Sequence, residues 1–549
     1  MSVLRLNSNE GPRAPQALLA ELAALDPELL RRYPEATAVE TALAARVGVT
    51  PDRVVVTAGA DEALDRIYRA YAGPGRPVLL PEPTFDMLER FAELAGAPLV
   101  RVPWRTDVFP LEAILARLDR QIALVVIVSP NNPTGGVVSR DDVRRIAAAV
   151  PQALVLLDQA YIEYVDEDIA SLALDLGNVV VVRTMSKAWG LAGCRVGYAV
   201  GTREVIAVVR AAGAPYPVAG PSLALALSQL RRGDAALRAH VAQVRMERAS
   251  LRQLLCARGV DARGSQANFV FADFGPRATF VRDGLGAHGI LVRDFPGRAG
   301  LETSLRITLP GDPADFERLT RALEAVLAPE AIVFDLDGVL ADVRESQRAA
   351  MIATAASFGV TVNMDDIEAA LRAGDATNDW IVTQRLIAAG GGTVELASVT
   401  TRYQALYLGA NGSPGLRERE RSIVPREALE RLARRLPLAV VTGRPRDEAR
   451  WFLAREGLAG LFRATVCMED AARKPDPAPV RLALTRLGVR SAWMVGNTPD
   501  DIRAATGASV VPLGIVAPGD DLVATSAALT EAGAARVLNQ ITDLEEMLS

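Results

Sequence analysis

Lysine occurs only twice in this chain, at Lys187 and Lys474, against 59 arginines. On a solvated surface the two residue types serve equally well, so a compositional bias can replace one with the other. A lysine is required where an amine must lose its proton and attack, or where a compact point charge must approach a phosphate; guanidinium stays charged and does neither in the same way. Both lysines lie in motifs rather than in surface runs. Lys187 sits in RTMSKAWGLAGCR (183–195) and Lys474 in ARKPDP (472–477). Two separate chemistries are expected, one around each amine.

Around Lys187 the side chains match the needs of pyridoxal 5'-phosphate. That cofactor requires an amine for a Schiff base, a carboxylate against its ring nitrogen, donors to its phenolic oxygen and a cup for its phosphate. Asp158 ends the apolar run VLLD and suits the ring nitrogen; buried there, it should have a cationic partner. Asn132 in SPNNPTG (129–135) and Tyr161 in DQAY (158–161) can donate to the phenolic oxygen. Thr184, Ser186 and Arg195 suit the phosphate, together with the free amides of Ala60 and Asp61 where GADEAL (59–64) begins a helix. Phe85 in PTF (83–85) can stack on the ring. Taken singly, NPTG is a turn and Asp158 a helix cap; the ordered set is what carries the reading.

Residues about 4–328 resemble the fold-type I pyridoxal phosphate aminotransferases, and within them the histidinol-phosphate group. The resemblance rests on LNSNEGP (6–12), RYP (32–34), GADE (59–62), SPNNPTG, RTMSKAWGLAGCR, SQANFV (265–270), GILVRD (289–294) and LRITLPG (305–311). It implies a homodimer in which Tyr33 reaches the cofactor phosphate of the neighbouring subunit. It also implies that Arg293 and Arg306 face the anionic end of the substrate. Phe85 departs from the family, which usually carries tyrosine there; the stack survives and a hydroxyl is lost.

Around Lys474 the pattern is that of phosphoryl transfer. AIVFDLDGVLAD (331–342) sets Asp335 and Asp337 two residues apart at a strand end, and Gly338 permits the turn that brings them to one side. Two carboxylates repel a phosphate dianion, so the site needs Mg²⁺ and a cation. Asp335 can attack phosphorus, and Asp337 can protonate the leaving oxygen and later activate water. Thr442 offers a hydroxyl and an amide to the phosphate, and Lys474 the point charge. With VVTGR (440–444), KPDP (474–477) and VGNTPDD (495–501) in order, residues about 331–549 resemble the haloacid dehalogenase superfamily of phosphatases. The implied metal set is Asp335, Asp337, Asn497 and Asp501. The family usually begins its last motif with Gly-Asp, and Gly496-Asn497 here removes one negative charge.

Elements that position these residues follow from the apolar pattern. Runs apolar on both faces, such as RVVVTAG (53–59), ALVLLD (153–158), AIVFD (331–335) and LAVVTG (438–443), alternate with helix-length segments. That is the signature of α/β architecture with parallel strands covered on both sides, and sites are expected at strand ends. The fold expected is an aminotransferase fold, a large domain with a mixed or parallel sheet and a small α/β domain, then a Rossmann-like domain with a helical cap. The domains are read as 1–329 and 330–549, with the cap at about 344–425. In that cap GDATNDW (374–380) can shape the substrate pocket, and RERERS (417–422) reads as a solvated helix end or loop.

A net charge of −5 without a basic block argues against nucleic acid as a partner. Three widely spaced cysteines and two histidines exclude a disulfide framework and a His-rich metal site. No signal peptide or membrane-length apolar run is seen, and a cytoplasmic enzyme is expected. The functional expectation is a bifunctional enzyme of histidine biosynthesis. It joins transamination between imidazole-acetol phosphate and glutamate to Mg²⁺-dependent hydrolysis of histidinol phosphate. The alternative is an aminotransferase or phospho-amino acid decarboxylase of other specificity, with a degenerate or differently specific phosphatase-like module.

Overall fold

Val54–Thr57, Leu124–Val128, Leu154–Asp158 and Val179–Thr184 are buried along their whole length, the burial expected of strands with helices on both faces. The computed structural model describes residues 3–165, 175–374, 378–410 and 413–548. The chain forms two compact units. One comprises Arg5–Gly275 and Val292–Arg318. The other comprises Pro276–Leu291 and Leu319–Ser549, with the N-terminal residues as far as Leu4.

The first unit is built on a seven-stranded sheet. Its order is Val54–Thr57, Gly197–Val200, Val179–Thr184, Leu154–Asp158, Leu124–Val128, Val78–Glu82 and Leu99–Pro103. Gly197–Val200 runs antiparallel to both neighbours, and the remaining pairs are parallel. The parallel register ends Leu124–Val128 beside Leu154–Asp158, with Val128 opposite Asp158. SPNNPTG and the Asp158 turn therefore emerge side by side. In a smaller antiparallel sheet, Ser304–Thr308 lies between Phe269–Asp273 and Ile290–Asp294, with Arg293 paired to Arg306.

The second unit has a six-stranded, all-parallel sheet. Its order is Phe462–Val466, Leu438–Val441, Ile332–Phe334, Trp493–Gly496, Val511–Ile515 and Arg536–Leu538. Asp335, Thr442 and Asn497 each follow the last residue of one of three adjacent strands. The register that buries Val333, Val441 and Met494 in one core thus also gathers the polar residues at one sheet end. Between Ala341–Asp342 and Arg421–Ser422, which pair antiparallel, the chain inserts the helices Ala349–Ser357, Met364–Ala373, Asp379–Ala389 and Leu396–Leu408. Their inner faces form a separate apolar core around Met351, Ile367, Ile387 and Tyr407.

Helix Ala278–Ala287 and the part of helix Pro313–Leu327 from Leu319 onward belong to this second unit. Trp493 is fully buried; its indole N–H donates to Ala325 O at 3.0 Å, and its ring meets Phe280 edge-on at 5.4 Å. Helix Ala278–Ala287 supplies Phe280 and helix Pro313–Leu327 supplies Ala325. The strand Ile332–Phe334 begins five residues after that second helix ends, with no linker of its own. Glu330 spans the step, its carboxylate accepting from the amides of Arg490 and Ser491 at 2.6 and 3.2 Å.

Candidate functional site

The first unit holds a cavity of about 290 Å³ lined by Lys187, Asp158, Asn132, Tyr161, Arg195 and Arg306. Ala60, Asp61, Phe85, Thr184, Ser186 and Arg293 complete its wall. Lys187 leaves the strand Val179–Thr184 in a turn closed by Gly190 N to Lys187 O at 3.0 Å. The N-terminal segment crosses this turn at Gly11, where any Cβ would lie 1.6 Å from Lys187 O. Only glycine allows that passage. It brings Ser8 O within 3.2 Å of Lys187 Nζ.

Asp158 is 3% exposed and accepts one hydrogen bond, from Ala160 N at 3.0 Å. Burial pushes its carboxyl up to about 7; the Ala160 amide and Lys187 act in the opposite sense. Among the described residues it has no ion pair, and the cation that acts on it, Lys187, does so only through space. The face of Asp158 that a protein cation would occupy is open to the cavity, so the partner has to come from outside the chain. A pyridinium N–H fits that demand. The remaining donors fit the rest of pyridoxal phosphate: an amine, unbonded amides where helix Gly59–Tyr71 starts, and the Arg195 guanidinium.

Arg195 adopts a left-handed backbone (φ 52°) and donates to Ser186 Oγ at 3.2 Å and Asp61 Oδ2 at 3.0 Å. Thr184 Oγ1 reaches Ser186 Oγ at 2.9 Å, so the expected phosphate group is gathered in one place. Phe85 is half-buried on the wall. Tyr33 stands apart, 78% exposed and stacked on Tyr216 with centroids 4.7 Å apart.

Arg306 is nearly buried. Its guanidinium donates to Asn132 Oδ1 at 2.5 Å and Asn7 O at 2.7 Å, and it lies 5.4 Å from the Phe269 ring centroid. Arg293 faces it across the strand pair but is exposed, with its guanidinium 5.9 Å from the Phe295 ring. Asn9 lies in LNSNEGP, at the edge of the same cavity. It is buried at φ 54°, exchanges hydrogen bonds with Thr308, and donates to Tyr161 Oη at 2.9 Å. Its signal in the sequence was only membership of LNSNEGP.

In the second unit Lys474 is buried between two carboxylates, 2.6 Å from Asp335 Oδ1 and 2.5 Å from Asp501 Oδ1. Burial opposes its charge, but the two acids win and hold the ammonium protonated. Burial raises Asp335, Lys474 pulls it back, and Asp501 and Asp337 push it up again. Thr442 Oγ1 accepts from Arg444 N at 3.1 Å, at the end of its strand. Gly338 takes φ 74°, and a Cβ there would meet Asn497 Nδ2 at 2.4 Å. Asn497 Oδ1 is buried without a hydrogen-bond partner. An unpartnered carbonyl oxygen beside ionised acids suits a hard cation such as Mg²⁺.

Among the described residues no three His, Cys, Asp or Glu side chains form a metal-holding group. Of the four expected ligands, Asp335 and Asp501 share Lys474, and Asn497 offers its free oxygen. Asp337 is turned aside to Arg444, 2.6 Å from its Nε. Arg444 also donates to Glu420 Oε2 at 2.9 Å and Tyr407 Oη at 3.2 Å, and Tyr407 donates to Glu420 Oε1 at 2.8 Å. Glu418, Arg419 and Arg421 are exposed at the end of a short helix, as the alternating charges of RERERS suggested, but Glu420 within it is 0% exposed. Burial of the one acid opposite Arg444 overrides the charge pattern. In GDATNDW, residues 375–377 lie outside the described residues. Asn378, Asp379 and Trp380 line a cavity beside Asp337. Burial, then Asp337, lifts Asp379 to about 7, and Tyr403 donates to it at 2.8 Å.

Residues 2–323 match the family described as aminotransferase class I and II, and residues 329–509 that described as haloacid dehalogenase-like hydrolase. The chain is 35% identical to a histidinol-phosphate aminotransferase of Paracoccus denitrificans over 336 residues, 60% of this chain and 91% of that one. With the enzyme of the same name from Ruegeria sp. the identity is 36% over 57% of this chain and 88% of the relative. The crystal structure of histidinol-phosphate aminotransferase from Sinorhizobium meliloti with pyridoxal-5'-phosphate superposes with a TM-score of 0.55 at 27% identity. It covers 59% of this chain and 91% of that one.

Proposed function

This chain belongs to the class I and II aminotransferase family, with a haloacid dehalogenase-like hydrolase following it, and on that premise we propose two consecutive steps of histidine formation. Residues 1–329 transfer the amino group of glutamate to imidazole-acetol phosphate, giving histidinol phosphate and 2-oxoglutarate. Residues 330–549 hydrolyse histidinol phosphate to histidinol and inorganic phosphate. One observation carries the reading: a single chain holds both the Lys187–Asp158–Arg306 cavity and the Asp335–Lys474–Asp501 cluster. The relatives named for histidinol phosphate support the substrate of the first half.

Bound pyridoxal phosphate supplies an aldehyde for the amine and a ring that stores electrons. Lys187 Nζ would hold it and, when free of it, would carry a proton to and from the substrate carbon. Asp158 keeps the ring nitrogen protonated. Tyr161, steadied by Asn9, and the Asn132 amide N–H₂ donate to the ring oxygen; Asn132 Oδ1 is already committed to Arg306. Thr184, Ser186, Arg195 and the amides of Ala60 and Asp61 hold the cofactor phosphate. Arg306, with Arg293 beside it, receives the substrate's carboxylate or phosphate.

In the second site Asp335 attacks phosphorus, forming a phosphoaspartate while the P–O bond to the alcohol breaks. Asp337, oriented by Arg444, gives a proton to the leaving oxygen and later takes one from the attacking water. Thr442 and Lys474 hold the phosphoryl oxygens. Asp335, Asn497, Asp501 and Asp337 would hold Mg²⁺, which would supply the positive charge that lets a dianion approach these acids.

Exposed Leu19, Leu22, Leu30 and Tyr33 support a homodimer, in which Tyr33 would reach the partner's cofactor phosphate. Among the described residues no helix is long and apolar enough to cross a membrane. With three free cysteines, the cytoplasm is the proposed compartment.

Given glutamate and imidazole-acetol phosphate, the pure chain should release 2-oxoglutarate, histidinol and phosphate. Lys187→Arg should stop every product, and Asp335→Asn should leave histidinol phosphate to accumulate. A wild type that accumulates histidinol phosphate sinks the second half of the proposal, and one without 2-oxoglutarate sinks the first.

A further inference from the structure

Beside the phosphoryl-transfer cluster the second unit has another polar cavity, lined by Asp337, Asp379, Glu448, Gln347, Trp380 and Tyr403. Asp379 and Gln347 also line the space that holds Asp335 and Lys474, so the two spaces adjoin at those side chains. A phosphate monoester with its phosphorus at Asp335 therefore directs its alcohol portion toward Asp379.

The charges on this wall do not balance. Arg444 is the one cation among the lining residues, and it is committed to Asp337 and Glu420. Among the described residues Asp379 and Glu448 form no ion pair, and Arg444 acts on both only through space. Each carboxylate takes one neutral side-chain hydrogen bond, from Tyr403 Oη at 2.8 Å and from Gln404 Nε2 at 2.9 Å. Carboxylates withdrawn from water with only a shared countercharge are costly, and a cation delivered to them recovers part of that cost.

Gln347 points to a ligand independently. It is 5% exposed, lines both spaces, and its amide has no hydrogen bond to the protein. A nearly buried amide whose donor and acceptor atoms face a cavity is open to water or to a polar guest. Trp380 and Tyr403 add aromatic surface, which suits a cationic group.

We propose that this cavity receives a positively charged group on the alcohol side of the substrate, so that Asp379 and Glu448 make the phosphatase selective for amino-alcohol phosphates. The inference rests on the reading of residues 330–549 as a phosphate monoesterase. It goes beyond that reading in naming the charge of the leaving alcohol and the residues that read it. Asp335 and Lys474 see only the phosphoryl end; the second cavity distinguishes one alcohol from another.

The test compares 2-aminoethyl phosphate with propyl phosphate, equal in length and different in charge, on the full chain with Mg²⁺. In the wild type kcat/KM should favour the amine at least tenfold. Asp379→Asn and Glu448→Gln keep size and hydrogen-bonding capacity, and each should lower that ratio several-fold, the pair bringing it near one. A wild-type ratio near one overturns the inference without any variant having to fold. Variants that slow both esters equally overturn it as well. A wild type that hydrolyses histidinol phosphate yet ignores charge removes the inference and leaves the proposed function standing. One that prefers the amine yet ignores histidinol phosphate does the reverse.

Discussion

The carboxyl of Asp158, lifted to about 7 by burial, binds more protons in the folded chain than in the unfolded one between about pH 4 and 7. Its folded value lies above its unfolded value, so the cofactor-free protein loses stability as pH rises through that window and levels off above it. A shift of about three units is worth roughly 4 kcal/mol at the plateau. Asp158→Asn should therefore raise the melting temperature of the cofactor-free protein more at pH 8 than at pH 5, while weakening cofactor binding. Equal changes at both pH values would count against the buried-charge account. Asn497 makes the opposite case, a missing charge. Asn497→Asp places a third carboxylate near Asp335 and Asp501, which Lys474 alone cannot balance. It should lower stability without Mg²⁺ and tighten Mg²⁺ binding about tenfold, read from melting temperature against metal concentration. A titration identical to wild type would remove Asn497 from the metal site.

Strands were the most legible elements, because runs apolar on both faces have few other solutions in a soluble chain. Their ends located Asp158, Asp335, Thr442 and Asn497 by simple adjacency. The second layer was not legible. Arg306 meets Asn132 across 174 positions, and Ser346 meets Glu420 across 74, which local patterns cannot report. Glu420 in RERERS escaped notice for the same reason: whether a charge is solvated depends on what folds over it. Here the inserted helices and the pair Ala341–Asp342 with Arg421–Ser422 close over Glu420. Removing one partner of a buried pair costs about 3–5 kcal/mol. Glu420→Gln should cost up to that amount, cut phosphatase kcat at least tenfold through a misplaced Arg444–Asp337 pair, and leave transamination intact. Full phosphatase activity in this variant would show that Arg444 does not set Asp337.

At the scale of the molecule, the family boundary and the packing boundary differ. The aminotransferase match runs to residue 323, yet Phe280 and Ala325 pack on Trp493 in the second unit. The helix stop and the new strand put the expected junction near 329, but strand and helix periods do not say which core an end helix joins. Phe280→Ala should cost about 3–5 kcal/mol, by the usual toll of deleting a buried aromatic ring. The loss should appear in heat inactivation of the phosphatase before the bound-cofactor absorbance changes. The reverse order would assign helix Ala278–Ala287 to the first unit's stability.

The placement of Lys474 has a consequence for labelling chemistry. Its ammonium is clamped by Asp335 and Asp501 out of contact with solvent, which leaves Lys187 as the one side-chain amine that an aldehyde in solution can reach. Free pyridoxal phosphate, which decorates the surface lysines of ordinary proteins, has no other side-chain target on this chain. Borohydride reduction of the holoenzyme should therefore fix one cofactor-labelled lysine per chain even at high cofactor excess, giving an unusually clean active-site count. The same property makes lysine-directed crosslinkers and dyes silent on the folded surface. Arginine-specific digestion and carboxylate-directed reagents become the practical tools for mapping it.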